Sequence, residues 1–384
     1  MKKTLLILIF TLFWAHNIRA IYLDVHIFHG QNITESSFAV NSGKYTITAD
    51  GIALKALLKG EECMMKIRND SVELLRQGVI IGTYKSIKFQ GISFINAFAF
   101  MPLSPNLGMR YYDDHLIITG ENNKLHIINN VELEHYVAGV VQSESGGSND
   151  NIEYFFVQAI ISRTYALVNY LKHKEEGFNL CDGVHCQYYL GRCRNADIAR
   201  AVARTGGDVI VDKDNRMISA AFHSNCGGET VNSEDIWSIP TSYLKSIPDS
   251  FCLHESNATW EYKMKRSEWL DFLKTKYNFP VDDTSMVRKA THFNQPTRMV
   301  NFTAEIPLKF IRYDLKLRST FFSIHPEGDS IIFVGRGYGH GVGLCQQGAI
   351  NMVKLGYGYK DVIRHFYTDV RIIHYSELKY NFMP

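Results

Sequence analysis

One acidic residue, Glu144, lies in the segment VVQSESGGSND, residues 140 to 150, between two valines and a pair of glycines. Apolar residues precede it at positions i, i+3, i+4, i+7 and i+8 of a predicted helix from Leu133, and Glu144 follows at i+11 on the same face. Burial and the negative end of the helix dipole both raise the pKa of a carboxyl group. A carboxyl group that stays protonated can donate its proton to a leaving oxygen, as in glycoside cleavage. The alternative is a structural role, in which Glu144 extends to solvent or pairs with a buried arginine.

A second set of polar residues follows in NIEYFFVQAIISRTYALVNYLKH, which is apolar almost all round and predicts a central helix with Asn149 and Asp150 as N-caps. The few polar residues of this helix form a stripe along one face. A polar stripe on a buried helix either satisfies the backbone of a neighbouring loop or lines a cleft, and the nearby Glu144 favours a cleft. Arg163, beside the stripe, could pair with a carboxylate or hold an acyl or carboxyl group of a substrate. The stripe recurs at i, i+4, i+7 and i+11 and consists of Gln158, Ser162, Tyr165 and Asn169.

The glycine-rich segment GRGYGHGVGLCQQGA, residues 335 to 349, lies between a predicted strand and a predicted helix. It lacks the GK[ST] and GxGxxG patterns of nucleotide-binding loops. Its alternating glycines permit a tight backbone path that presents His340 and Gln346 to a groove. An alternative is a thiol nucleophile, Cys345, with His340 as its base, as in a cysteine peptidase or amidase. No third, orienting residue can be assigned to that pair.

Two short segments, CDGVHC and HSNC, contain residue types that bind zinc. Cys181, His185, Cys186, His223 and Cys226 could together supply four ligands, although neither segment has the CxxC spacing of common zinc sites. The alternative is a disulfide, either Cys181 to Cys186 or Cys186 to Cys226. The chain has seven cysteines, so at least one thiol is free, binds metal or pairs with another chain.

The N-terminus has the pattern of a secretory signal peptide. Lys2 and Lys3 precede an apolar run over residues 5 to 15, and the small residue Ala20 ends a predicted cleavage site. We expect export to the periplasm or the outer face of the cytoplasmic membrane, with an uncleaved anchor as the alternative. The 41 basic and 39 acidic side chains nearly balance, which disfavours a nucleic-acid partner.

The pattern of elements predicts an α+β fold. Residues 21 to 125 alternate like strands and hairpins, and the chain then becomes mixed, with the long central helix and a substrate groove. Further strands are predicted in DVIVD, FTAEIPLKFI and SIIFVG, and further helices in RSEWLDFLKTKY, QQGAINMVKLG and YKDVIRHFY. We therefore expect a signal peptide over 1–20, a β-rich region over 21–125, a catalytic or glycan-binding domain over 126–375 and a tail over 376–384.

Several of these segments resemble the stage II sporulation protein D family, which includes the amidase enhancers. They occur in the family's order over roughly residues 120 to 375 and comprise EHYVAGVVQSE, VQAIISRTYALVN, GFNLCDGVHCQYYLG, FHSNCGGET, YLKSIPDSF and GRGYGHGVGLCQQGAINMVKLGYGYKDVIRHFY. The resemblance implies binding of cell-wall peptidoglycan during division or sporulation. It also implies lytic transglycosylase activity, which cuts the MurNAc to GlcNAc bond. The alternative within the family is a non-catalytic glycan-binding module that stimulates a partner cell-wall amidase.

The resemblance also implies roles for individual residues. Glu144 matches the Glu of the family's S-E motif, the single acid and base that leaves a 1,6-anhydro ring on the muramoyl unit. Some members hold zinc near the segment matching Cys181, His185 and Cys186, with His173, His223 or Cys226 completing the site; no cofactor is required for the chemistry. The family usually has Ser at Cys345, which disfavours a thiol enzyme. The residues implied to line the glycan groove are Gln158, Arg163, Tyr165, His223, His340 and Gln346.

Overall fold

The computed structural model describes residues 20–145 and 151–378. The predicted signal peptide, except Ala20, and the predicted N-caps Asn149 and Asp150 lie outside them. Within these ranges, no helix has the length and apolar character needed to cross a bilayer. The first part of the chain forms the strands β1 (Tyr22–His26), β2 (Glu35–Ser42), β3 (Lys44–Ala49), β4 (Ile52–Leu58), β5 (Glu62–Arg68), β6 (Ser71–Arg76), β7 (Val79–Tyr84), β8 (Ser86–Gly91), β9 (Ala97–Ser104), β10 (Arg110–Asp113), β11 (His115–Glu121) and β12 (Lys124–Glu132).

These strands form two sheets whose inner faces pack together. One has the order β1-β12-β11-β8-β3-β4, and β13 (Leu180–Cys181) adds to β1 in parallel; the other has the order β10-β9-β2-β5-β6-β7. Alternate residues are buried, as in β12, because successive side chains of a strand point to opposite faces. Phe38 of β2 stacks on Phe89 of β8 with ring centroids 4.2 Å apart. The predicted β-rich N-terminal region of an α+β fold is confirmed.

The chain becomes helical directly after β12, as its change in apolar spacing predicted. The helix α1 (Leu133–Ser145) buries the predicted apolar face, and α2 (Ile152–Val168) is buried almost all round. The side chain of Asn151 caps α2 by accepting a hydrogen bond from the backbone N–H of Glu153 at 2.9 Å. The next elements are α3 (Ala196–Arg204), β14 (Asp208–Val211), β15 (Phe222–His223) and α4 (Ser233–Trp237).

Residues 259–336 build a second hydrophobic core, separate from the main one and centred on the buried Trp269. The segment FTAEIPLKFI, predicted as a strand, instead contains a 3₁₀ turn over Thr303–Glu305 and the start of a helix. The strand prediction was wrong because Leu308 and Ile311 are buried at helical spacing. Residues 259–336 are called the insertion below. They comprise β16 (Thr259–Lys265), α5 (Arg266–Tyr277), α6 (Thr284–Thr291), α7 (Leu308–Asp314), β17 (Phe322–Glu327) and β18 (Ser330–Arg336).

The chain returns from the insertion beside the point where it left, because the N–H of Gly337 donates to the carbonyl of Ala258 at 2.8 Å. The strand β19 (Leu344–Cys345) pairs in parallel with β15, with His223 opposite Cys345. This pairing joins the FHSNC segment to the glycine-rich segment, where Gly339 has φ 120° and a Cβ would approach that of His223 to 2.7 Å. The last elements are α8 (Gln346–Lys354), α9 (Tyr359–Phe366) and β20 (Arg371–His374), which pairs with β14.

Candidate functional site

A cleft of about 710 Å³ brings together residues from both the main body and the insertion. The end of α1, the exposed side of α2, the CDGVHC segment, the β15 region and the glycine-rich segment supply its walls. Of the residues predicted from the sequence, those that line it are Glu144, Tyr165, Asn169, His185, Cys186, His223, His340 and Gln346. Other lining residues are Lys172, Val184, Ser219, Ala221, Phe222, Ser224, Trp237, Arg312, Tyr338 and Gly339.

Glu144 lies in the last turn of α1, partly buried at the wall of the cleft. Its Oε1 accepts a hydrogen bond from the backbone N–H of Tyr188 at 3.0 Å, and its Oε2 lies 3.5 Å from the donating side-chain nitrogen of Gln346. Burial raises the pKa of the Glu144 carboxyl group, and the two hydrogen bonds act in the opposite direction. The carboxyl group thus holds a proton at higher pH than a solvated glutamate does.

The polar stripe on α2 continues behind Gln346 as a chain of hydrogen bonds. The side-chain nitrogen of Gln346 lies 3.4 Å from Oε1 of Gln158, which also accepts from the hydroxyl of Tyr154 at 3.1 Å. The Nε2 of Gln158 in turn donates to Ser162 at 3.2 Å. Gln158 is fully buried and absent from the cleft wall, which corrects its predicted contact with substrate. The side chain of Gln158 instead holds that of Gln346 in position from the interior side of the cleft wall.

Arg163 also lies away from the cleft, which corrects the prediction that it binds substrate. Its side chain is completely buried and donates two hydrogen bonds to the carboxylate of Glu134, from Nε at 2.8 Å and from Nη2 at 2.6 Å. Its Nη1 donates to the backbone carbonyl of Asp208 at 3.0 Å. Arg163 therefore joins α1, α2 and β14, which is the structural alternative left open by the sequence.

His223 and His340 lie side by side in the cleft wall, with ring centroids 5.4 Å apart. The Nδ1 of His340 accepts from the backbone N–H of Val342 at 3.0 Å, so its Nε2–H donates to the carbonyl of Phe222 at 2.9 Å. Burial lowers the pKa of His340 to about 4 and that of His223 well below its usual value. Both rings are neutral at pH 7, and His340 fixes the glycine-rich segment against β15.

Charge in the cleft is distributed unevenly. Among the described lining residues, Glu144 is the only carboxyl group, whereas Lys172 and Arg312 supply positive charge. The Nζ of Lys172 donates to the hydroxyl of Tyr165 at 3.2 Å and to the carbonyl of His185 at 2.6 Å. No pattern in the sequence indicated Arg312, because it belongs to the insertion and directly follows the segment predicted as a strand.

The CDGVHC segment forms a compact group of metal-binding side chains with His173. One ligand atom from each of His173, Cys181, His185 and Cys186 lies within 4.8 Å of the others. The Sγ of Cys186 is 3.4 Å from Nε2 of His173, and the Sγ of Cys181 is 3.9 Å from Nδ1 of His185. The Nδ1 of His173 contacts Glu176 at 2.5 Å, and a carboxylate partner of this kind orients metal-binding histidines.

His223 and Cys226, the other residues considered for this group, do not belong to it. All seven cysteines are free thiols, so neither predicted disulfide is present. The thiol of Cys345 is fully buried and accepts hydrogen bonds from the backbone N–H groups of Cys226 and Gly348. Both ring nitrogens of His340 bond to backbone groups, of Phe222 and Val342, and Cys345 does not line the cleft, which excludes the nucleophile and base pair in this arrangement.

The chain matches known proteins over this same region. The family model described as Stage II sporulation protein matches residues 121–211, which include Glu144 and the CDGVHC segment. The chain is 25% identical to an uncharacterized protein of Brachyspira hyodysenteriae, over 94% of this chain and 98% of that one. It is 28% identical to a stage II sporulation protein D of Bacillus amyloliquefaciens, over 64% of this chain and 76% of that one.

A third relative has a different name. The chain is 24% identical to an amidase enhancer of Bacillus subtilis, over 62% of this chain and 40% of that protein. The family model and these relatives together show that the chain is similar to the family of stage II sporulation protein D and the amidase enhancer.

Proposed function

We propose that this protein is a peptidoglycan lytic transglycosylase that cuts the bond between MurNAc and GlcNAc, with Glu144 as its acid and base. The similarity to this family supports a role at the cell wall in sporulation or division. The observation that carries the enzymatic proposal is one partly buried carboxyl group with a raised pKa in a large cleft, with no second carboxyl group among the described lining residues.

A single carboxyl group suffices when the nucleophile belongs to the substrate. Protonated Glu144 donates its proton to the glycosidic oxygen as the bond from that oxygen to C1 of the muramoyl unit breaks. The resulting carboxylate accepts the proton of the muramoyl C6 hydroxyl, and the C6 oxygen bonds to C1 as a 1,6-anhydro ring. No water is consumed, so the second carboxylate that ordinary glycosidases use as nucleophile or base is unnecessary.

The other lining residues suit a glycan strand. Trp237 and Tyr338 are partly exposed in the cleft and offer aromatic faces against which sugar rings can pack. The charges of Lys172 and Arg312 complement a carboxylate, and each muramoyl unit carries one on its lactyl group when no peptide is attached. We infer that the cleft binds the glycan strand through these residues.

The four residues His173, Cys181, His185 and Cys186 fit a zinc ion by type and by spacing. Four protein ligands leave no position for substrate, so zinc would have a structural role here. His185 and Cys186 line the cleft, and holding them fixes that wall near Lys172. In the proposed reaction, only the substrate and Glu144 exchange protons or form and break bonds.

The proposed reaction requires the protein to reach the cell wall. The signal-peptide pattern of residues 1–20 supports export to the periplasm or to the outer face of the cytoplasmic membrane.

The test is digestion of purified glycan strands, with and without prior removal of stem peptides by an amidase, followed by mass spectrometry. Wild-type protein should release fragments ending in 1,6-anhydroMurNAc, and Glu144→Gln should lower the rate by about 10²- to 10⁴-fold. Glu268→Gln, at an exposed site in α5, is the matched control and should retain full activity. Reducing-end products, or equal activity of Glu144→Gln, would exclude the proposed chemistry.

A second candidate function is stimulation of a cell-wall amidase, because one relative is named amidase enhancer. In that case, the chain would bind glycan strands without cutting them and would increase the rate of an added amidase. The same digestion separates the two functions, because an enhancer gives no anhydro ends and Glu144→Gln leaves the stimulation unchanged.

A further inference from the structure

A second group of side chains of metal-binding types is separate from the His173 group. It includes Cys345, the residue directly before Gln346. It consists of Cys226, Asp249, Cys252 and Cys345, and all four side chains are fully buried. One ligand atom from each lies within 4.8 Å of the others. Three separate segments contribute these residues: the turn after β15, the 3₁₀ turn over Ser250–Cys252 with the residue before it, and the end of β19.

The distances in this group are close to those of a tetrahedral metal site. The Sγ of Cys226 lies 3.4 Å from that of Cys252 and 3.2 Å from Oδ2 of Asp249. Zinc bonded to sulfur at about 2.3 Å and to oxygen at about 2.0 Å places its ligands roughly 3.5 to 3.8 Å apart. Side-chain shifts of a few tenths of an ångström would therefore suffice to hold an ion.

Hydrogen bonds around the group orient its members. The backbone N–H groups of Cys226 and Gly348 point at the Sγ of Cys345, at 3.3 and 3.4 Å. The other oxygen of Asp249, Oδ1, accepts from the N–H of Phe251 at 3.0 Å, which leaves Oδ2 directed at the thiols. These backbone donors act as the outer partners that fix ligands in metal sites.

The burial of the Asp249 carboxylate also favours a cation beside it. A buried carboxylate is normally paired with a positive group or coordinates a metal. Asp249 takes part in none of the ion pairs found among the described residues, and its Oδ2 contacts a thiol instead. The guanidinium of Arg298 donates to the backbone carbonyl of Cys226 at 2.6 Å and adds positive charge beside the group.

We propose that Cys226, Asp249, Cys252 and Cys345 form a second metal site, which binds a divalent cation that accepts thiolate ligands, such as Zn²⁺. Each thiol releases its proton to solvent when it binds the ion. The ion joins the three segments and fixes the first residue of α8, Gln346, whose side chain reaches Glu144. This site does not depend on the proposed reaction.

Counting metal ions on the intact chain tests the proposal. The protein is purified without chelator from zinc-supplemented cells, and zinc per chain is measured by plasma mass spectrometry. Cys252→Ser and Cys345→Ser should each contain one zinc ion fewer than wild type. The double variant Cys181→Ser and Cys186→Ser should lose one ion from the other group, and Cys63→Ser, at a buried thiol outside both groups, should lose none. Equal zinc in wild type, Cys252→Ser and Cys345→Ser overturns the proposal.

A second measurement on the wild-type chain covers the case in which these variants fail to fold. The chain is denatured with chelator and iodoacetamide but no reductant, and its peptides are mapped by mass spectrometry. Alkylation of Cys226, Cys252 and Cys345, together with zinc beyond the one ion of the His173 group, supports the site. A disulfide between Cys226 and Cys252, whose sulfurs lie 3.4 Å apart, overturns it, as do three free thiols without the additional zinc.

Discussion

The side-chain nitrogen of Gln346 lies 3.5 Å from Oε2 of Glu144, although 202 positions separate the two residues in the chain. The same nitrogen lies 3.4 Å from the buried Gln158, so the amide is directed from two sides. A donor at this position favours the carboxylate form of Glu144, whereas burial favours the protonated form. The proton affinity of the proposed catalytic acid therefore depends on the balance between desolvation and the hydrogen bonds from Tyr188 and Gln346.

Replacing Gln346 by glutamate should shift the pH dependence of glycan cleavage. A second carboxylate beside Glu144 raises the pKa of Glu144 further, so the fall in activity on the alkaline side should move to higher pH. The pH profile of kcat/KM measures this shift. Gln90→Glu, at an exposed site in β8, is the control and should leave the profile in place. A shift to lower pH would contradict the proposed contact.

Glu144→Gln should stabilise the protein at neutral and alkaline pH. Because the folded-state pKa of Glu144 is raised, its stabilising contribution is complete below the unfolded pKa and is lost as pH rises through the folded value. Glutamine cannot ionise and avoids that loss. The difference in melting temperature between variant and wild type should therefore grow from pH 4 to pH 8. A constant difference in melting temperature over this range would show that ionisation of Glu144 does not destabilise the fold.

Arg163→Met should destabilise the fold without altering the cleft. The variant leaves Glu134 and the carbonyl of Asp208 without their buried partner, and such a loss costs about 3 to 5 kcal/mol. Denaturant unfolding measures the loss, and KM of the remaining folded enzyme should be unchanged. Glu134→Gln, which leaves the fully buried guanidinium of Arg163 without its counter-charge, should also be destabilising. Normal stability with a raised KM would instead place Arg163 in contact with substrate.

Arg312→Ala should weaken binding of glycan that carries free lactyl carboxylates. Loss of one hydrogen bond to a charged group, about 1.5 to 3 kcal/mol, corresponds to roughly a 10- to 150-fold rise in KM. Glycan that still carries stem peptides lacks these carboxylates and should be affected far less. Arg288→Ala, at an exposed site in α6, is the control. Equal effects of Arg312→Ala on both substrates would exclude recognition of the lactyl group.

The periodicity of apolar residues predicted α1 and α2, the helices that form one side of the cleft. This was possible because the spacing of apolar residues along each helix decides which of its side chains are buried. It could not decide between the two roles of Arg163, since the partner, Glu134, lies 29 positions away on another helix. The same limit applies to Arg312, which reaches the cleft only through the tertiary position of the insertion. The group around Cys226 was missed because its four residues come from three segments with no common spacing.

The insertion over residues 259–336 has its own core, and its two ends lie side by side, because Thr259 pairs with Arg336 and the N–H of Gly337 donates to the carbonyl of Ala258. Its length and sequence can therefore change in evolution without moving Glu144, which belongs to the main body. Arg312 reaches the cleft from α7 within it. On the proposed function, related chains can thus acquire new glycan preferences by altering one replaceable module while the proposed catalytic acid stays in place.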